Sequence, residues 1–172
     1  MKTNIICFLL LSFSLSLLLR SVAYADYLLP YPSYMPGNKL YRASKLLDRL
    51  GVYWHWGTIA SFNYRLAMSD KYLVEAKTLF EYKQYLLAVD ALRRSNEQFQ
   101  MLSPLLTRVG NEGKEAGKLA ERMVEASSVH RGVLERLKRE LPAEFIWKPE
   151  KRESTTLDFA TLLTEAMELR KL

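Results

Sequence analysis

The chain of 172 residues is poor in the groups that most protein chemistry uses. It has one cysteine, Cys7, two histidines, seven glycines and six prolines. A single thiol excludes an internal disulfide and a thiolate metal cage. The two histidines, His55 and His130, lie far apart in sequence. Each lacks the nearby ligand spacing that a metal site wants. There is no nucleophile elbow, no phosphate-cradling glycine loop and no paired-carboxylate spacing. Low glycine and proline exclude a low-complexity chain, and 49% hydrophobic content supports a packed core. Charge of one sign is also lacking as a block: Lys114 to Glu153 holds ten Lys/Arg against eight Glu. Interleaved charge reads as a solvated surface, whereas a nucleic-acid binder concentrates its basic residues on one face.

Only the N-terminus carries a long apolar run. Lys2 precedes Ile5 to Leu19, and Ala23-Tyr24-Ala25 matches a small-x-small cleavage pattern. Residues 1–25 are therefore expected to be a signal peptide. At about 15 residues the run is short of the roughly 20 that a spanning helix needs. Cleavage would lower the net charge from +6 to +4, since Lys2 and Arg20 leave with it. The expected location is extracytoplasmic, periplasmic or secreted. The alternative is membrane anchoring through an uncleaved N-terminal segment, for which Arg20 is an argument.

What is present is helical periodicity. Ile59, Phe62, Leu66, Ser69, Leu73, Ala76 and Phe80 recur at steps of three and four, as do Tyr85, Ala88, Leu92, Ser95, Phe99, Leu102 and Leu106. Glu81 to Gln84 separate the two runs. Folded back about Tyr82 and Lys83, the stripes pair in order: Phe80 on Tyr85, Ala76 on Ala88, Leu73 on Leu92, Ser69 on Ser95, Leu66 on Phe99, Phe62 on Leu102 and Ile59 on Leu106. Small meets small and large meets large, as close antiparallel helices require.

Residues 26–37 read as an extended Tyr/Pro tether, with Pro30, Pro32 and Pro36 between Tyr27, Tyr31 and Tyr34. Asn38 can cap a first helix from about Lys39 to Val52, with an apolar stripe of Leu40, Ala43, Leu47 and Leu50, stopped near Gly51. Thr58 can cap the second helix. The third starts near Gln84 and is expected to continue, kinked, through Pro104 to about Val109. A fourth runs from about Lys114 to Leu141, with a stripe of Ala116, Leu119, Met123, Ala126, His130, Val133 and Leu137. Thr155 and Asp158 resemble a cap for a short final helix, residues 156–170. No strand alternation persists. The expected fold is all-α: an antiparallel helical hairpin extended to a four-helix bundle over residues 38–142, with a loop and short C-terminal helix over 143–172.

The opening Met35-Pro36-Gly37-Asn38-Lys39-Leu40-Tyr41-Arg42-Ala43-Ser44-Lys45 resembles the Pro-Gly-x-x-Leu-Tyr-x-x-Lys start of a family of exported bacterial helical proteins known only as a domain of unknown function. Leu79 to Ala88 resembles that family's hairpin turn, although Tyr82 replaces its usual glycine. Val129 to Leu137 resembles its His-x-x-Val-Leu-x-x-Leu segment. The resemblance covers Met35 to Pro142 and implies an extracytoplasmic helical protein, often joined to a membrane or wall anchor; it points to no particular activity. The hairpin also resembles one tetratricopeptide unit. The 34-residue repeat of such arrays fails, since Ala76, Ala88 and Leu92 step to Gly110, Arg122 and Ala126.

The candidate binding residues are Tyr53, Trp54, His55 and Trp56. Tryptophan and tyrosine combine a large apolar face with a polar edge and suit a sugar, a polymer or an interface. The competing reading makes these aromatics a plug for the open end of the bundle. His130, on an apolar stripe, reads as a core-edge histidine with one hydrogen-bonded neighbour. Asp48 and Asp70 are isolated in sequence. No catalytic residue, metal or cofactor is expected, nor a nucleic-acid partner, and membrane contact is expected only if residues 1–25 are retained. The function expected is a non-catalytic exported interaction or structural module of the bacterial cell envelope, with a protein or envelope partner. The alternative is a small-ligand binder, for a glycan or haem-like molecule, using the Tyr53–Trp56 loop.

Overall fold

The computed structural model describes residues 27–32, 34–150 and 153–172, so the proposed signal peptide lies outside the described residues. The elements in chain order are α1 (Tyr41–Trp54), α2 (Thr58–Glu81), α3 (Tyr85–Gln100), α4 (Leu102–Asn111), α5 (Gly117–Glu140), β1 (Glu144–Trp147), β2 (Thr155–Asp158) and α6 (Phe159–Glu168). The chain is mainly α.

α2 and α3 form the antiparallel hairpin that the periodicity predicts. The turn closes by backbone bonds from Lys83 N to Phe80 O and from Gln84 N to Leu79 O, at 3.0 and 2.9 Å. That double closure wants a left-handed residue in the middle, and Lys83 takes it at φ 56°. α4 ends the same way: Gly113 N bonds Gly110 O, Lys114 N bonds Val109 O, and the left-handed residue is Gly113 at φ 68°.

Two apolar clusters fill the interior. Around the turn, Leu73, Ala76, Leu79 and Phe80 pack with Ala88, Val89 and Leu92, with Leu134 and Leu137 of α5, and with Phe159, Leu163 and Ala166 of α6. Toward the other end, Phe62 and Leu66 join Phe99, Leu102 and Val109, with Leu119, Met123 and Ala126 of α5. The expected pairs fall within these clusters, and Ser69 meets Ser95 directly. Ile59 is the exception, being 38% exposed.

Several expectations are corrected. α3 does not continue through Pro104; it stops at Gln100, and α4 restarts at Leu102 with Pro104 in its first turn. A proline there removes an N–H that a helix start leaves unpaired anyway. Residues 144–147 and 155–158 are strands, not loop and helix, paired antiparallel with Phe145 opposite Leu157. Each strand is only four residues long, too short for its alternation to stand out. Asp158, not Thr155, caps α6, accepting from Thr161 N at 2.9 Å. Thr58 does not cap α2, whose N-cap is Gly57; its hydroxyl instead donates to Glu112 at 2.5 Å. Gly51 does not stop α1 but lies buried inside it, facing Tyr64. A Cβ at residue 51 would stand 2.6 Å from the Tyr64 hydroxyl.

The largest correction concerns α1. Its expected stripe does not pack on the hairpin: Leu40, Leu47 and Leu50 are 52%, 61% and 41% exposed and Ala43 also faces solvent, as does the neighbouring Leu46 at 58%. α1 instead meets α2 through its polar side. Asp48 pairs with Lys71 at 2.6 Å, and the Tyr41 hydroxyl donates to Glu75 at 2.6 Å. The Tyr64 hydroxyl donates to the Asp48 carbonyl oxygen.

Candidate functional site

Between the two apolar clusters lies a largely buried polar layer. α2 supplies Ser69 and Asp70, α3 supplies Ser95 and Asn96, α5 supplies Ser127 and His130, and the chain just beyond α6 supplies Arg170. His130, Arg170, Ser69 and Ser95 are all 0% exposed. The serines exchange bonds: Ser95 Oγ donates to Ser69 O at 2.8 Å and Ser69 Oγ to Ser95 O at 3.1 Å. The backbones of α2 and α3 approach there because both side chains are small.

The charged part of the layer is a relay. The Tyr27 hydroxyl donates to Asp70 Oδ2 at 2.5 Å. His130 Nε2 meets Asp70 Oδ1 at 2.7 Å, and Arg170 Nε donates to His130 Nδ1 at 3.0 Å. Arg170 has no acceptor to offer, so Nδ1 must be bare and the ring proton must sit on Nε2. The imidazole is therefore neutral and donates to Asp70; protonating Nδ1 would set it against the guanidinium N–H. Burial, helped by the positive charge of Arg170, holds the His130 pKa below its ordinary value, although the bond to Asp70 pulls the other way. Burial lowers Arg170 to about 10, still protonated at neutral pH. The Tyr27 phenol is raised, by burial first and then by its bond to Asp70. Arg170 also donates to Asn96 Oδ1, the Ala166 carbonyl oxygen and Ser95 Oγ, at 2.7, 2.8 and 2.9 Å, and lies 4.9 Å from the Phe99 ring centre.

The layer is not wholly closed: Tyr27 and Asn96 are half-buried and the Asp70 side chain keeps 11% exposure. One buried carboxylate and one buried guanidinium are bridged by an imidazole, an arrangement that specifies how α2, α3, α5 and the C-terminus meet. His130 is thus fully buried and bonded on both nitrogens, not a core-edge residue with one partner. Asp70 and Asp48, isolated in sequence, are both paired in space. Tyr27 ties the start of the proposed tether to α2. Sequence periodicity missed Asp70, a polar residue one step off the stripe. Arg170 did carry a signal, since Phe159, Leu163, Ala166 and Arg170 step by four, three and four onto one face.

The sequence-predicted residues Tyr53, Trp54, His55 and Trp56 sit together at the end of α1. Tyr53, Trp54 and Trp56 are 76%, 73% and 84% exposed, so they do not plug an open end of the core. The Trp56 indole N–H donates to Tyr53 O. His55 is held apart from them: its ring stacks on Tyr64 at 4.4 Å between centres, and Nδ1 lies 2.6 Å from Gly51 O. Seen down α1, Tyr53, Leu46, Leu50, Ala43, Trp54 and Leu47 occupy one continuous arc of about 120°, at about 100° per residue. All six side chains face solvent. The arc is a contiguous exposed apolar surface, and such patches mark interaction sites. Among the described residues no group of three or more His, Cys, Asp or Glu is placed to hold a metal ion. Compared with protein-family models, curated proteins and solved structures, the chain matches none.

Proposed function

We propose that this chain is a non-catalytic, exported helical module of the bacterial cell envelope, a bundle whose working surface is the apolar face of α1. One observation carries the reading: α1 turns its polar side to the hairpin and its leucines and aromatics to solvent. A helix built to stabilise the bundle does the reverse. The leader-like residues 1–25 and the resemblance at Met35 to Pro142 support export. The burial of His130 and Arg170, both fully engaged by hydrogen bonds inside the fold, supports a role without catalysis. The engagement of His55 by Tyr64 and Gly51 favours docking of a surface over capture of a small ligand by the Tyr53–Trp56 loop.

The test is the variant Leu47→Ser/Leu50→Ser. A docking face predicts that thermal stability stays within about 0.5 kcal/mol of the parent, as for exposed positions. Association with an envelope extract, followed by co-sedimentation, should be lost. Destabilisation above roughly 2 kcal/mol would mean the leucines are core residues and would end the proposal.

A further inference from the structure

We infer that the partner of α1 is the surface of an anionic lipid bilayer, on which the helix lies flat. The inference rests on the reading of α1 as the working face and names what covers it. α1 has 14 residues. A helix of that size, rising about 1.5 Å per residue, is about 21 Å long. That is too short to cross a bilayer but suited to its interface. Among the described residues no helix is long and apolar enough to cross.

Charge selects lipid. The exposed charges on α1 and the residues just before it are Lys39, Arg42 and Arg49, all basic. The one acid of the helix, Asp48, is turned inward onto Lys71. Arg42 and Arg49 flank the apolar arc at the Tyr53 edge, where headgroup phosphates would meet them once the leucines enter the acyl boundary. Tyr53, Trp54 and Trp56 gather at one end of the arc, and rings with one apolar and one polar edge favour the headgroup level. A protein groove would also accept leucines, but it offers no general reason for an arc whose one charged edge is arginine. This contact does not need residues 1–25.

Tryptophan emission tests it cleanly, because the three tryptophans are Trp54, Trp56 and Trp147 and none lies in the apolar N-terminal run. The full chain carrying Trp147→Phe is titrated with vesicles of phosphatidylglycerol mixed with phosphatidylcholine, and with vesicles of phosphatidylcholine alone. The expected result is a blue shift and quenching by shallow brominated lipid, stronger on the anionic vesicles and weakened by salt. Leu47→Ser/Leu50→Ser should weaken binding at least about tenfold. Arg42→Glu/Arg49→Glu should weaken it about tenfold or more on anionic vesicles only. Unshifted, unquenched emission overturns the inference, as does equal response on both vesicle types. A blue shift that grows with protein concentration without vesicles overturns it in favour of self-association. If vesicles fail while the serine variant still loses co-sedimentation with the extract, the lipid partner falls and the docking face stands. If neither assay responds to the variant, both fall.

Discussion

Arg170→Met removes the buried cation of the polar layer while keeping an unbranched apolar stem. The substitution strands Asp70 with no compensating charge, and leaves His130 Nδ1, Asn96 Oδ1 and Ser95 Oγ without their donor. The three lost side-chain-to-side-chain bonds, at about 1 kcal/mol each, already give about 3 kcal/mol, before the bond to the Ala166 carbonyl oxygen is counted. Breaking a buried ion pair from one side costs about 3–5 kcal/mol in general. Asp70 keeps its bonds to Tyr27 and His130, and its side chain retains 11% exposure, so the lower end applies. The expected loss is about 3 kcal/mol, a fall in Tm of roughly 6–12 °C for a domain of this size. Urea unfolding followed by far-ultraviolet circular dichroism measures it, with an unchanged m-value as the check that the reference state is the same. The exposed control Arg131→Met should stay within about 0.5 kcal/mol. Asp70→Asn/Arg170→Met removes both charges and should cost at least about 1 kcal/mol less than the sum of the single changes. A loss below about 1 kcal/mol, or strict additivity, would refute the account of acid and base coupled through a neutral imidazole.

Further outcomes attach to particular positions. Lys83 holds a left-handed backbone at φ 56°. Lys83→Gly should therefore raise stability by about 1 kcal/mol, since glycine adopts that conformation without the steric cost. Gly113→Ala, at the equivalent turn, should lower it by a similar amount, and chemical denaturation reads both. Gly51→Ala forces a Cβ against the Tyr64 ring. It should loosen α1 from α2, seen as faster limited proteolysis between α1 and α2 with little change in the α2–α3 core. Burial holds the folded pKa of His130 below its ordinary value. The unfolded chain, at about 6.5, therefore takes up its proton first as pH falls. Stability from this group should be full above about pH 6.5 and decline below it. The slope of urea midpoint against pH should be shallower in His130→Gln, and identical slopes would contradict the neutral tautomer.

Helical periodicity alone determined the hairpin, the order of its paired layers and the contact of Ser69 with Ser95. A stripe at steps of three and four has one buried face when a partner stripe matches it in size, and here both stripes belong to one continuous stretch of chain. Pro142 likewise ended α5, because proline cannot continue the ladder. The four-residue strands were illegible because so short an alternation does not rise above composition.

Tertiary structure decided which apolar stripes were covered and which polar groups were not solvated. The stripes of α1 and α5 look alike in sequence, yet α5 faces the core and α1 faces solvent. The difference is made by Asp48 finding Lys71, Tyr41 finding Glu75 and Gly51 admitting Tyr64, none of which periodicity records. Tyr27, Asp70, His130 and Arg170 are spread from one end of the described chain to the other, and only the packing of α5 and the C-terminus on the hairpin joins them. A charge is buried where another charge and its hydrogen bonds meet it, and that is a property of three-dimensional neighbours, not of spacing along the chain.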